Sequence, residues 1–200
     1  MSNLLPFVRA SSPSLALAAF IVGCGGSPPP TTTSTVEGTV RGESYSPGDA
    51  ISAVVTKDDV TALTVFLSTE PSTCDIVKAH TATANARFIA LTMFHFDASS
   101  VTGTAPQGPA VFTILGPNDS MPPADGNIAS AFYFENDGDC QGQKQADAVS
   151  GTITLASIDG GASAGKADLE LDTGDHLVVD FQATACGALS ASGAGATSCD

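Results

Sequence analysis

Three segments decide the fold: VSGTITL (residues 149–155), KADLEL (166–171) and HLVVDF (176–181). Polar and apolar residues alternate along each of them, which is the side-chain period of a strand with one buried face. The segments are joined by DGG (159–161) and DTGD (172–175), which are short turn sequences. Because two tight turns leave no room for a crossover, the three runs predict an antiparallel β-meander. The alternation places Leu169 and Leu171 on the core face, with the two acidic residues of 166–171 in water.

Strand-like runs recur upstream of this meander, and turn sequences separate them. They cover residues 36–41, 50–56, 61–67, 87–96, 109–115 and 128–134. The run 87–96 is apolar on both faces, which predicts a central strand. Residues 74–80 are the only predicted helix, with Ile76 and Val77 pointing inward. The sequence therefore predicts an all-β fold, an antiparallel β-sandwich of about nine strands with one short helix.

Charge limits the partners of this chain. The chain has 7 basic and 21 acidic residues, and Arg9 is the one charged residue before Cys24. The chain from Cys24 onward therefore carries 6 basic and 21 acidic residues, a net charge of −15. Such an excess repels nucleic acid and anionic lipid headgroups, so we expect no nucleic-acid partner and no direct contact of the protein surface with a bilayer.

The N-terminal segment differs from the rest of the chain. Residues 15–22 form an uninterrupted apolar run of 8 residues, followed by Gly23 and Cys24. The run suits the hydrophobic region of a signal peptide and is far shorter than the roughly 20 residues of a membrane-spanning helix. Residues 25–35, GGSPPPTTTST, cannot build a packed core and are typical of a flexible linker.

Together, IVGC (21–24) and its flanks resemble the signal peptide, lipobox and tether of a bacterial lipoprotein. The resemblance implies that Cys24 is lipidated on sulfur, that the chain is cut before Cys24, and that a glycine at position 25 favours the outer membrane. It divides the chain into a signal peptide (1–23), a lipidated Cys and flexible tether (24–35) and the β-sandwich domain (36–200). Two alternatives stay open: an ordinary secretory signal without lipid, and a buried N-terminal strand with a free Cys24.

Once Cys24 is assigned to lipid, four cysteines remain: Cys74, Cys140, Cys186 and Cys199. Because an exported chain folds in an oxidising compartment, this even set predicts two disulfides. Four cysteines allow three pairings, and we favour Cys74–Cys140 with Cys186–Cys199, since the second bond closes a short loop of small residues. A zinc site is the alternative, but no C-x-x-C spacing supports it.

Two patterns suggest chemistry. GASAG (161–165) matches the G-x-S-x-G pattern of serine hydrolases, but it lies in a hairpin, and the chemistry needs a strand-to-helix turn. The loop with Glu135, Asn136, Asp137 and Asp139 has oxygen ligands at a spacing that suits calcium. It lacks the glycine and glutamate of an EF-hand, so a solvated acidic loop is the better interpretation.

The histidines and aromatic residues give no stronger signal. His80, His95 and His176 share no metal-ligand spacing, and His95 lies among aromatic residues where we expect it to be buried. The phenylalanines at 88, 94, 96, 112, 132, 134 and 181 follow strand periodicity and are predicted to be core. With 21 acidic residues, we expect some pair of carboxylates to lie as close as glycosidase chemistry needs, so such a pair would not by itself indicate an enzyme. We therefore predict no catalytic residue, no metal ligand and no cofactor.

The C-terminal third, SGTITL through FQATAC, resembles domains of uncharacterised bacterial envelope lipoproteins, which implies a fold type but no active site. We expect a non-enzymatic, lipid-anchored protein of the cell envelope, with a structural or protein-interaction role and an envelope protein as partner. One alternative is a binding module for sugar or another small ligand. The chain has no Trp and only Tyr45 and Tyr133 to stack on a sugar. The other alternative is an envelope hydrolase.

The lipid assignment predicts the fate of one variant. Cys24→Ser removes the sulfur that carries the lipid, and burial of acyl chains, at about 0.8 kcal/mol per methylene, is what holds such a protein on a membrane. We expect the variant to appear in the soluble fraction or to remain unprocessed, as measured by fractionation and immunoblotting. Fractionation with membranes at mature size, as complete as for the unchanged protein, would contradict the assignment.

Overall fold

The computed structural model describes residues 33–120, 124–191 and 198–199. These residues form thirteen strands and two helices. The strands are β1 (Thr35–Val40), β2 (Glu43–Ser44), β3 (Asp49–Lys57), β4 (Val60–Ser68), β5 (Thr81–Ala82), β6 (Arg87–Asp97), β7 (Thr102–Thr104), β8 (Ala110–Ile114), β9 (Gly126–Asn136), β10 (Gly142–Asp159), β11 (Ala162–Leu171), β12 (His176–Ala185) and β13 (Ser198–Cys199). The helices are α1 (Thr73–Ala79) and α2 (Gly187–Ala191).

Eleven of the strands form one sheet that closes on itself. Strands β3, β4, β6, β9, β10, β11 and β12 pair in that order, and β12 pairs back with β3. The closing contact is short and parallel: Thr184 and Ala185 of β12 lie beside Ile51 and Ser52 of β3. Strand β1 runs antiparallel to the first half of β12, so β1 and β3 share the same side of that strand.

The predicted all-β class is confirmed, but the nine-strand antiparallel sandwich is not. The sheet is mixed, because β12–β3, β8–β9 and β4–β7 are parallel pairs, and β13–β5 forms a second small parallel sheet. Parallel neighbours are not joined by a tight turn, so turn sequences do not reveal them. The strand count was too low because β2, β5, β7 and β13 span only two or three residues and show no alternation.

The closed sheet encloses the main hydrophobic core. Its largest fully buried side chains include Phe112, Phe181, Leu91 and Ile153, contributed by four different strands. In β11, Leu169 and Leu171 are buried while the intervening acidic residue is exposed, as the alternation predicts. The hairpin between β10 and β11 turns at Gly160 and Gly161, both with positive φ, where glycine avoids the strain of a side chain.

Tyr45 lies inside the core, where it contacts the ends of two strands. Its hydroxyl lies 2.8 Å from the carbonyl oxygen of Leu67 and 3.1 Å from that of Arg87. Its ring packs edge-to-face on Tyr133, with ring centroids 6.2 Å apart. Burial raises the pKa of both tyrosines above the ordinary value. Since both rings are 4 % exposed, neither can serve as the sugar-stacking platform considered above.

The single predicted helix corresponds to α1, and a second short helix, α2, was not predicted. Helix α2 lies in a stretch of Gly, Ala, Leu and Ser that has no apolar periodicity to predict it. The predicted signal peptide (1–23), the predicted lipid attachment at Cys24 and the predicted tether up to residue 32 lie outside the described residues. Among the residues that are described, no helix is long and apolar enough to cross a membrane.

The alternation in β11 makes a stability prediction with an internal control. Leu169→Ala removes a side chain that is 1 % exposed, and such substitutions cost about 2–5 kcal/mol of unfolding free energy. Glu170→Ala, on the opposite face of the same strand, should change it by less than about 0.5 kcal/mol. Chemical denaturation of the two variants measures the difference. Equal losses would mean that β11 does not have one buried and one solvated face.

Candidate functional site

A cavity of about 470 Å³ lies on the outer face of the closed sheet, opposite the main core. Its floor is aromatic: Phe66, Phe88 and Phe134 come from the neighbouring strands β4, β6 and β9. The rings of Phe88 and Phe134 stack with centroids 4.6 Å apart, and Phe66 lies 5.2 Å from Phe88. Cavities that bind small ligands commonly have volumes of about 300–1,000 Å³ and apolar linings.

Helix α1 forms one wall of this cavity and contributes Ile76 and Val77. The helix starts after Ser72, whose side chain makes no capping bond. Instead, the carboxylate of Asp49 in β3 accepts a hydrogen bond from the Thr73 backbone N–H at 2.7 Å. A carboxylate at a helix N-terminus satisfies a free N–H and interacts favourably with the helix dipole. The sheet therefore fixes where the helix begins.

Each disulfide fastens a part of the cavity lining. Cys74 of α1 bonds to Cys186, which directly follows β12, and Cys140 bonds to Cys199 of β13. Cys140 itself lines the cavity, and its sulfur lies 3.5 Å from the carbonyl oxygen of Ala82 in β5. The first bond therefore connects helix α1 to the end of β12, and the second connects the loop at Cys140 to β13.

The favoured pairing of Cys74 with Cys140 and of Cys186 with Cys199 was wrong. It relied on the short separation of Cys186 and Cys199, whereas the bonds span 112 and 59 residues. The physical reason is the strand pairing. Strand β12 ends beside β3, which carries Cys186 to α1, and β13 pairs with β5, which carries Cys199 to the loop of Cys140.

Three polar side chains of the lining donate hydrogen bonds to, or lie at hydrogen-bond distance from, backbone carbonyl oxygens. Asn136 is 8 % exposed, and its side-chain N–H donates to the Thr83 carbonyl at 3.1 Å. The hydroxyl of Thr73 donates to the Glu70 carbonyl at 3.1 Å, and that of Thr81 lies 3.5 Å from the Ile76 carbonyl. A buried sugar hydroxyl without a partner costs about 1–3 kcal/mol. The cavity is thus suited to apolar groups.

Non-glycine residues with positive φ border this cavity. They are His80 and Cys140, which line it, and Ser72, which directly precedes the lining residue Thr73. The left-handed conformation is uncommon for residues with a side chain, and such residues concentrate at binding and catalytic sites.

Sequence reasoning missed this site because it assigned all phenylalanines to one core. Phe112 and Phe181 are fully buried, as predicted, whereas Phe132 and Phe134 are only partly buried and lie on the outer face. A signal was present at residues 131–134, AFYF, where both faces of the strand are apolar. Such a strand needs a second cover, and α1 with the two disulfide-linked segments covers it only partly.

The predicted acidic loop is organised by its own backbone. One carboxylate oxygen of Asp137 accepts the N–H groups of Asp139 and Gln141 at 2.9 and 2.8 Å. Glu135 accepts a hydrogen bond from the Tyr133 hydroxyl at 2.9 Å. Among the described residues, no group of three or more His, Cys, Asp or Glu side chains is placed to hold a metal ion.

The three histidines lie in three different surroundings and do not form a common site. His80 lines the cavity, whereas His95 is exposed and its Nδ1 lies 3.0 Å from the side-chain oxygen of Asn127. The expectation of a buried His95 was wrong: His95 follows the core residue Met93 on the same face of β6, but it lies near the end of that strand, where it is exposed. His176 lies 2.8 Å from Asp168, and the hydrogen bond to that carboxylate raises the pKa of the imidazole.

Ser163 of the GASAG pattern points away from solvent but has no catalytic surroundings. It is 5 % exposed, and its hydroxyl has no hydrogen-bond partner among the described residues. The chain continues as strand β11 up to Leu171, so the helix that a nucleophilic elbow requires does not follow it. The pattern reflects the small residues of a tight hairpin.

Comparison with known proteins finds no matching family model, no similar curated protein and no similar solved structure.

Proposed function

We propose that this protein is a non-enzymatic, lipid-anchored protein of the bacterial cell envelope. Its β-rich domain binds an envelope partner, whose apolar side chains enter the cavity over Phe66, Phe88 and Phe134. The lipobox-like segment ending at Cys24 supports the anchor, and Gly25 supports the outer membrane. The observation that carries the binding role is the cavity itself: about 470 Å³ of space with an aromatic floor and hydrogen-bonded polar walls.

The cavity volume and its chemistry support an apolar group as the occupant. A cavity of about 150 Å³ is enough to hold benzene, so this cavity can hold about three groups of that size. Aromatic and aliphatic anchors in a pocket are what dominate the energy of protein interfaces. The strongly acidic surface repels nucleic acid and anionic lipid headgroups, so the lipid anchor alone would hold the protein at the membrane.

A second candidate, binding of a small apolar molecule, is favoured by the same volume, which lies within the usual range of ligand pockets. A sugar is a poorer candidate because both tyrosines are buried in the main core and the side chains of Asn136 and Thr73 in the lining already donate to backbone carbonyls. An envelope hydrolase is a poorer candidate because Ser163 lies in a continuous antiparallel strand.

The binding role predicts saturable uptake of a neutral apolar dye. We expect the chain from residue 24, with Cys24→Ser, to bind Nile red at one site. Val77→Asp puts a carboxylate into the cavity wall and should weaken binding by about tenfold or more, the equivalent of about 1.4 kcal/mol. Val111→Asp changes a valine that is 56 % exposed on β8, outside the cavity, and should leave the dissociation constant unchanged.

Val77→Phe is a second test without a charge, because it fills the cavity and should also weaken dye binding. Circular dichroism and thermal melting of each variant report whether it is folded. The proposal is contradicted if the dye does not bind, or if folded Val77→Asp, Val77→Phe and Val111→Asp variants bind it equally well.

A further inference from the structure

The two disulfides differ in how easily solvent reaches them. Cys186 is 1 % exposed, and its backbone N–H donates to the Ser52 carbonyl at 2.8 Å, so the Cys74–Cys186 bond is part of the closure of the sheet. In the other bond, Cys199 is exposed and Cys140 is half-buried. Because thiol–disulfide exchange needs access to a sulfur atom, an external thiol reaches the Cys140–Cys199 bond more readily than the Cys74–Cys186 bond.

The Cys140–Cys199 bond holds strand β13 against one wall of the cavity. That wall includes both residues of β5, Thr81 and Ala82, and among the described residues the strand that pairs with β5 is β13. The pairing is two residues long, and even a complete two-stranded hairpin is only marginally stable in water. Such a short pairing does not offset the conformational entropy of the ordered segment, so the disulfide is what keeps β13 on β5.

The same bond also fixes a lining residue in an unfavourable backbone conformation. Cys140 lines the cavity and has a φ of 58°, in the left-handed region that side chains disfavour. A residue keeps such a conformation only where its surroundings impose it. Here the backbone N–H of Cys140 donates to the Asp137 carbonyl at 3.1 Å, and the disulfide holds its side chain. Opening the bond removes one of these two constraints, so the lining loosens at Cys140 as well as at β5.

We propose that the Cys140–Cys199 bond is a redox switch of the cavity: the oxidised form binds apolar groups, and reduction by an external dithiol frees β13 from β5 and weakens that binding. The inference rests on the proposed binding role of the cavity. One thiolate of the dithiol attacks the sulfur of Cys199, so that a mixed disulfide forms and Cys140 leaves as a thiolate. The second thiolate of the dithiol attacks the mixed disulfide and releases Cys199. The dithiol is thereby oxidised to a disulfide, and Cys140 and Cys199 take up its two electrons and two protons.

The test uses the chain from residue 24, with Cys24→Ser, dithiothreitol as the dithiol and Nile red as the probe. Iodoacetamide trapping and peptide mapping at increasing dithiothreitol concentrations should find Cys140 and Cys199 alkylated while Cys74 and Cys186 are still bonded. At such a concentration, before alkylation, the dissociation constant for the dye should be at least about threefold higher than in the oxidised chain. Re-oxidation of that sample with oxidised glutathione should restore the original value.

The double variant Cys140→Ser, Cys199→Ser lacks the bond without any reductant, so it should bind the dye as weakly as the reduced chain and should not respond to the same dithiothreitol concentration. If this variant does not fold, the reversible reduction of the chain that keeps both cysteines decides the matter. Dye binding that is equally tight or tighter after reduction at Cys140 and Cys199 would overturn the switch, as would simultaneous or earlier opening of the Cys74–Cys186 bond. Either result leaves the proposed function intact, whereas failure of the oxidised chain to bind the dye would overturn both.

Discussion

The last two residues of β12 lie beside Ile51 and Ser52 of β3, and this short parallel contact turns a row of antiparallel strands into a closed sheet. The backbone N–H of Cys186 extends the contact by donating to the Ser52 carbonyl at 2.8 Å. Without it, β3 and the last residues of β12 would have unpaired edges. The disulfide from Cys186 to Cys74 begins where the contact ends, so the same closure places helix α1.

Closure of the sheet also separates two apolar environments with different roles. The interior is filled by fully buried side chains such as Phe112 and Phe181 and holds the domain together. The outer face of β4, β6 and β9 carries further phenylalanines that α1 and the disulfide-linked segments cover incompletely. Exposed apolar surface next to hydrogen-bonded polar walls is typical of a binding site. The proposed partner uses this incomplete cover.

Local sequence patterns were sufficient for some of this architecture. The alternation of 166–171 predicted the buried leucines of β11, and the apolar run 87–96 predicted the central strand β6. The contacts that define the cavity are non-local: β12 with β3, β13 with β5, and two disulfides that span 112 and 59 residues. No turn sequence specifies such pairings, and the choice of the nearest cysteines followed the wrong physical criterion. The apolar residues on both faces of 87–96 and of 131–134 were the local signs of a second covered surface.

The central claim is that β12 closes the sheet against β3 and thereby brings Cys186 to helix α1. Peptide mapping under non-reducing conditions, on protein produced in an oxidising compartment, tests it most directly. The account predicts one peptide pair linked through Cys74 and Cys186 and another linked through Cys140 and Cys199. A bond between Cys186 and Cys199, or free thiols at Cys74 and Cys186, would contradict the closure and the cavity that depends on it.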